Sequence, residues 1–334
     1  MRKSLLKNFH FELVLLFPPA LGDSMMTCQA LRVYSSLLPK FSTLGVISRE
    51  YHSVFKILFP DWTFIAYDSK PNCLNLKIKS DHLIDFRSDD FSIKYRAIPC
   101  SKNLFWFNFE DERRVAYRQS DASIKYLPTT KIKDHFSEIG SEISAWKMDA
   151  ELISSFISIG LELNKNNSEE LRYLDNQRLV FNYLPSKISK PIEVIIFPCG
   201  TNTQKHWHID RWIELTNHLN KLNLEVKIFL GPEEKNIQSL FNCNASIFID
   251  SDWQFIIDHL HKNSIIICND CGPMHVCGIL CAPLIAIFGP TNEKVWFTYE
   301  TNAFSIRSQK SVWPEVSEVL CKVLSIKDKL MRNQ

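Results

Sequence analysis

Four short segments of this 334-residue chain bring glycine, hydroxyl, carboxylate and cationic side chains to the ends of apolar runs. The first is Ala20-Leu21-Gly22-Asp23. Gly22 permits a tight turn and close ligand approach, and the helix dipole favours an ionised Asp23 in a first helical turn. Such a carboxylate can take a proton from an attacking hydroxyl, although Asp is also an ordinary helix cap. The second runs from Cys199-Gly200-Thr201 through Thr203 and Lys205 to His206-Trp207. The hydroxyls of Thr201 and Thr203 and the ammonium of Lys205 suit an anionic phosphate, and Lys205 would offset charge on a departing diphosphate. A solvated loop has the same composition, but its position after a strand favours phosphate. In the third, Gly231-Pro232-Glu233-Glu234, a carboxylate can meet ribose hydroxyls or simply complement a helix dipole. The fourth is Asn269-Asp270-Cys271-Gly272-Pro273-Met274-His275. There Pro273 suits a first helical turn, Gly272 lets backbone N–H groups meet a phosphate, and His275 can add a donor. Gly289-Pro290-Thr291-Asn292 follows one strand later, a turn with exposed backbone and a hydroxyl.

The ten cysteines sit inside apolar runs, as at Cys199, Cys268 and Cys277, so reduced thiols are expected. The start Cys268-x-x-Cys271 invites a metal reading. However, Cys268 ends a strand-like run, and Cys277 and Cys281 are one helical turn apart, where small buried residues belong. No metal site is expected.

Residues after a strand need a sheet to hold them. From about Ile192 apolar strand-like runs alternate with amphipathic helical ones, the pattern of a parallel sheet with crossover helices. Strands are expected at Glu193 to Pro198, Glu225 to Leu230, Ser264 to Cys268 and Pro283 to Phe288. Helix faces are formed by Ile209, Trp212, Ile213 and Leu219, and by Trp253, Ile256, Ile257 and Leu260. The first half opens with a strand from Phe11 to Phe17 and a helix with Met26, Ala30, Val33 and Leu37 on one face, and Thr43 to Ile47 is a further strand. Asp68 to Lys133 has no clear period. Glu142 to Leu163 is expected to be helical, and the polar run Pro185 to Pro191 to be a linker. This gives an N-terminal domain over 1–185 and a C-terminal domain over 192–334, with the chemistry at the carboxyl ends of two open sheets.

Lys and Arg total 39 against 37 Asp and Glu, which removes the broad basic surface that nucleic-acid binding needs. Arg2, Lys3 and Lys7 before Leu13 to Phe17 imitate a signal peptide. Glu12, Pro18-Pro19 and Asp23 argue instead for a buried first strand. The longest apolar stretch, Val276 to Gly289, is too short to span a bilayer and contains Pro283.

Over Ile192 to Tyr299 the chain resembles glycosyltransferase family 9, the heptosyltransferases of lipopolysaccharide core assembly. The resemblance rests on Lys205-His206-Trp207, Gly231-Pro232-Glu233-Glu234, Asp270-Cys271-Gly272-Pro273-Met274-His275 and Gly289-Pro290-Thr291, joined in the first half by Leu21-Gly22-Asp23. It implies a GT-B fold of two facing Rossmann-like domains with parallel sheets, the first for the acceptor and the second for a nucleotide sugar. Metal-independent, inverting transfer is implied as well, without cofactor. By carry-over Asp23 is the general base, while Lys205 with Thr201 and Thr203 holds the diphosphate. Glu234, with Glu233 as alternative, meets the ribose. Gly22, Asp270, Cys271, Gly272, His275, Gly289 and Thr291 line the donor site. Cys271 stands where the family has Ser or Thr, which removes a hydroxyl donor, and Pro18-Pro19 replace residues that are often polar or basic.

The implied reaction is transfer of heptose from ADP-heptose to a lipopolysaccharide core or related surface glycan. The alternatives are a transferase or epimerase of the same fold using a UDP- or GDP-sugar, and a non-catalytic glycan-binding or assembly protein. Lys70 to Lys133 carries 13 basic against 8 acidic residues. Lys94, Arg96, Lys102, Arg113, Arg114 and Arg118 are therefore candidates for an anionic acceptor, although a solvated surface has a similar composition. The expected location is the cytoplasm, with peripheral contact at the cytoplasmic face of the inner membrane.

Overall fold

A computed structural model of the protein describes residues 10–18, 20–33, 38, 42–67, 78–86, 100–108, 113–118, 123–126, 153, 191–200, 202–241, 244–297, 302–308 and 313–332. The chain divides into two compact units, Met1–Leu179 and Val180–Gln334. Of the expected linker only Pro191 is among the described residues, and of the expected helix from Glu142 to Leu163 only Ile153, which is helical and buried.

In the first unit, strands β1 (His10–Leu16), β2 (Thr43–Ser48), β3 (Thr63–Tyr67), β4 (Lys79–Asp85) and β5 (Cys100–Asn108) form a parallel sheet in the order β3-β2-β1-β4-β5. β1 lies at its centre, with Leu13 in register with both Thr43 and His82. Helices α1 (Leu21–Val33) and α2 (His52–Leu58) follow β1 and β2. The expected face of α1 is present in Met26 and Ala30, and Met25, Cys28 and Leu31 are buried beside them. Leu37 lies outside the described residues. The sheet is open enough at Gly45 for aromatic packing. A Cβ there would lie 2.5 Å from the Phe64 ring, which is 5.5 Å from that of Phe55, itself edge-on to Phe17 at 4.7 Å.

This sheet is not parallel throughout. β6 (Arg113–Arg118) and β7 (Ser123–Tyr126) extend it antiparallel beyond β5. The segment from Asp68 to Lys133 therefore contains four strands where the sequence shows no clear period. Two causes are visible. β4 buries polar residues, with Ser80, His82 and Asp85 all 2% exposed or less, and in β6 Arg113, Arg114 and Arg118 flank the short block Val115-Ala116-Tyr117, which leaves no alternation.

The second unit holds β8 (Glu193–Phe197), β9 (Glu225–Leu230), β10 (Ser246–Ile249), β11 (Ser264–Asn269), β12 (Leu284–Ile287) and β13 (Ala303–Ile306). All pair in parallel, in the order β10-β9-β8-β11-β12-β13. The four strands expected here are present within one or two residues of their expected ends. Helices α3 (Ile209–Lys221), α4 (Trp253–His259), α5 (Gly272–Ile279), α6 (Glu293–Trp296) and α7 (Val316–Arg332) complete the unit. Val194, Ile196, Ile228, Ile267 and Ile287 pack with Trp212, Leu215 and Leu219 of α3 and Val319 and Val323 of α7. Each such fully buried side chain contributes about 1.5–3 kcal/mol. A second set stacks across the strands: Phe197 on Phe229 at 5.4 Å, and Phe229 on Phe248 at 4.9 Å.

In both units the first two crossovers run to one side of the first strand and the next to the other. Each unit thus has a switch point, between β1 and β4 and between β8 and β11. There the connections leave in opposite directions and open a crevice at the carboxyl ends.

Candidate active site

The crevice of the second unit is framed by the loop after β8 and the loop after β11. Asp270, one residue beyond β11 and 3% exposed, receives Lys205 Nζ on Oδ2 at 2.7 Å. Thr291 Oγ1 donates to the same oxygen, also at 2.7 Å. A carboxylate buried this deeply needs such donors. The ammonium of Lys205, whose side chain is 26% exposed, also stands 5.5 Å from the centre of the Trp296 ring. Three segments remote in sequence therefore meet here: the 3₁₀ turn Thr203–Lys205, the Asp270 corner, and the turn that ends in α6.

Close backbone approach makes this meeting feasible. A Cβ on Gly200 would lie 2.8 Å from the Cys271 Cβ, so the two loops can touch only with glycine at that position. Asn269, fully buried as the last residue of β11, ties them together. Its Oδ1 accepts from Trp207 N at 3.0 Å, and its amide nitrogen donates to the Pro198 carbonyl. His206 Nε2 lies between the N–H and C=O of Gly200, at 3.0 and 2.7 Å, and accepts from the first or donates to the second according to its tautomer. Trp207, 1% exposed, anchors the loop by donating from Nε1 to the Pro314 carbonyl at 3.0 Å.

Cys271 is the N-cap of α5, with extended backbone, and its sulfur makes no capping hydrogen bond. The loss of a Ser or Thr hydroxyl at this position thus has a direct structural counterpart. Gly272 and Pro273 open the helix. His275 is 4% exposed, and burial, reinforced by Lys205 and opposed by Asp270, pushes it down to about 4. It is therefore neutral at physiological pH and offers one N–H rather than a cation. Burial, with help from Glu234 and Cys271, raises the Cys199 thiol to about 12, and burial also raises Cys268 and Cys277. Cys28, Cys199, Cys268, Cys271, Cys277, Cys281 and Cys321 are free thiols, and among the described residues no group of three or more His, Cys, Asp or Glu side chains could hold a metal ion.

Glu234 and Gly289 have structural duties as well. The Glu234 carboxylate accepts from the Gly231 N–H and closes the 3₁₀ turn Pro232–Leu240, while Glu233 is exposed. At Gly289 a Cβ would lie 2.3 Å from the Trp313 indole, so this glycine makes room for that ring. Thr203 is exposed in its turn, and Thr201 lies outside the described residues.

In the first unit Gly22 and Asp23 begin α1 directly after β1, at that unit's switch point. Asp23 is exposed in the first turn. Its carbonyl accepts from Thr27 Oγ1 at 3.2 Å, and the turn is fixed by Ser24 Oγ donating to Pro18 O at 2.7 Å. Of the basic candidates, Lys102 falls on β5 and Arg113, Arg114 and Arg118 on β6, while Lys94 and Arg96 lie outside the described residues.

The structure brings Lys205, Asp270 and Thr291 together. Asn269 and Trp296 are additions. The signal for Asn269 is a polar side chain that closes the apolar run Ile265 to Cys268, whereas Trp296 carries no signal beyond its short distance in sequence from Thr291.

The sequence profile of glycosyltransferase family 9 (heptosyltransferase) matches residues 147–322. No protein of curated function matches the sequence. Among solved structures, the fold is similar to that of the E. coli ADP-heptose lipopolysaccharide heptosyltransferase II, with a TM-score of 0.67 at 14% identity over 97% of this chain and 99% of that one. It is similar also to E. coli heptosyltransferase WaaC solved with ADP, with a TM-score of 0.65 at 15% identity, covering 95% and 99% of the two chains. A family 9 glycosyl transferase from Veillonella parvula gives a TM-score of 0.62 at 16% identity, over 96% and 95%. At these identities the likeness shows the fold, which is GT-B.

Proposed function

The chain belongs to glycosyltransferase family 9, and from that membership we propose that it transfers heptose from ADP-heptose to a hydroxyl of a lipopolysaccharide core or related surface glycan, with inversion. The observation that carries the donor side is the Lys205–Asp270–Thr291 constellation at the switch point of the second unit. It presents an oriented ammonium beside the N-terminus of α5, where a diphosphate is favoured. The solved relative with ADP bound supports the same nucleotide. Asp23, ionised at the start of α1, takes the proton of the acceptor hydroxyl as its oxygen bonds to the anomeric carbon. The bond from that carbon to the diphosphate breaks, and its electron pair leaves with ADP. Lys205 and the first turn of α5 offset the charge, the part that a metal plays elsewhere, so we propose that the reaction proceeds without one. Glu234 meets the ribose, and the basic residues of β5 and β6 meet anionic groups of the acceptor. The site of action is the cytoplasmic face of the inner membrane. Among the described residues no helix is long and apolar enough to cross a membrane.

Ligand binding to the native state raises apparent stability, so thermal shifts with ADP, UDP and GDP test the nucleotide. A shift with ADP alone supports the proposal, and a larger shift with UDP or GDP overturns it. Mass spectrometry of products from truncated core acceptors then tests sugar and acceptor together. ADP-heptose binding with no ADP released on any acceptor would instead mark a non-catalytic glycan-binding protein.

A further inference from the structure

We propose that Trp296 is a positioning residue for the Lys205 ammonium, holding it ready for the diphosphate without consuming the hydrogen bonds that a diphosphate needs. This rests on the reading of Lys205 given above. A lysine carries four flexible carbons and loses much rotamer freedom when fixed. Asp270 alone fixes it poorly for binding, because it draws the ammonium toward a carboxylate that is 3% exposed and turned into the protein. The structure moderates that pull in two ways. Thr291 donates to the same Oδ2 that receives Lys205, so the oxygen is shared between two donors. The Trp296 ring stands 5.5 Å from Nζ and attracts the cation through its electron-rich face. That attraction is broad and takes up no N–H in a directed bond. Donors of the ammonium therefore remain for phosphate oxygens, and Nζ can swing from Asp270 toward a ligand while staying over the ring.

The ring is itself well placed to do this. α6 is a single turn whose N-cap, Asn292, accepts from Lys294 N at 3.0 Å. Trp296 N bonds back to Asn292 O at 3.3 Å, and Phe297 N to Glu293 O at 2.7 Å. Thr291 is the residue immediately before this turn. One rigid segment thus delivers the hydroxyl to Asp270 and the aromatic face to Lys205.

The test uses the full chain and ADP. Calorimetric titration compares the parent with W296F, W296L, K205M and the W296L/K205M pair. W296L is expected to weaken ADP binding about fivefold, with the unfolding midpoint of the free protein unchanged, and W296F to stay within about twofold. In the K205M background W296L is expected to have no further effect, since coupled residues are non-additive. An equal loss from W296L with and without Lys205, or a W296F as weak as W296L, overturns the proposal. A second measurement stands apart from the donor reading. In reductively ¹³C-methylated protein the Lys205 signal, identified by its loss in K205M, is expected to carry a ring-current shift that W296L removes and W296F keeps. If that shift is present but K205M binds ADP normally, the diphosphate role of Lys205 fails while the positioning by Trp296 stands. If no ring-current shift is seen, the positioning fails.

Discussion

Asp23 shows what one side chain can be asked to do. It sits exposed in the first turn of α1, directly behind β1, where the helix dipole favours a carboxylate. A general base contributes roughly 10²–10⁴-fold. Asp23→Asn keeps the shape and removes the basicity, so kcat is expected to fall by about that factor while ADP affinity, measured by calorimetry, is unchanged. Full activity in this variant would remove Asp23 from the reaction. Asp23, Lys205, Asp270 and Thr291 could be picked out in the sequence because each follows an apolar run. Their contacts could not, because Lys205 and Asp270 are 65 positions apart and Asp270 and Thr291 are 21 apart, and only the crossing of β8 beside β11 brings them together. Trp296 was illegible for the same reason: an aromatic residue after a turn looks like core until the cation it faces is known.

At the scale of elements, the amino ends of β8, β9 and β11 carry a buried polar joint at the edge opposite the site. Glu193, 3% exposed, receives Ser264 Oγ at 2.9 Å and Lys227 Nζ, with His261 Nε2 also 2.9 Å away. Burial alone would raise the Glu193 carboxyl. The hydrogen bonds from His261, Lys227 and Ser264 outweigh it and hold the group at about 2, against 4.5 when free. Because the folded value is depressed, the stabilisation is fully present above pH 4.5 and drains away as pH falls from there through about 2. Glu193→Gln should lower unfolding free energy at pH 7 by about 3 kcal/mol. It should also flatten the acid limb of stability against pH, which urea titrations at stepped pH will read. The strands that meet here were legible through their isoleucine and valine runs. The joint was not, since Glu193 and Lys227 look like ordinary strand-end charges until the register pairs β8 with β9.

The molecule as a whole repeats one plan, with the first strand central and later strands added to one side and then the other. The second unit follows it with six parallel strands, of which the sequence shows four plainly and leaves β10 and β13 unmarked. The first departs from it after β5, and there the sequence was silent, because buried polar residues in β4 and flanking arginines in β6 blurred the period. The near balance of charge, 39 basic against 37 acidic residues, likewise hid a local basic excess between Lys70 and Lys133. If the donor reading is right, ADP should protect the second unit selectively. Hydrogen exchange is expected to slow at 199–206 and 269–276 and to stay unchanged across β2 and β3, since protection follows the part that the ligand stabilises.

The two switch points are each built by strands of their own unit. Under the proposed division of labour, recognition of the acceptor and of the nucleotide is inherited on separate sheets. The Gly200–Cys271 contact, the Asn269 tie and the Gly289–Trp313 fit all lie within the second unit. On that proposal a new glycan would be met by changes in the first unit, such as lengthening its antiparallel end or recharging β6. Acceptor range would then be an evolutionary variable of the first unit, inherited on top of a donor chemistry fixed in the second.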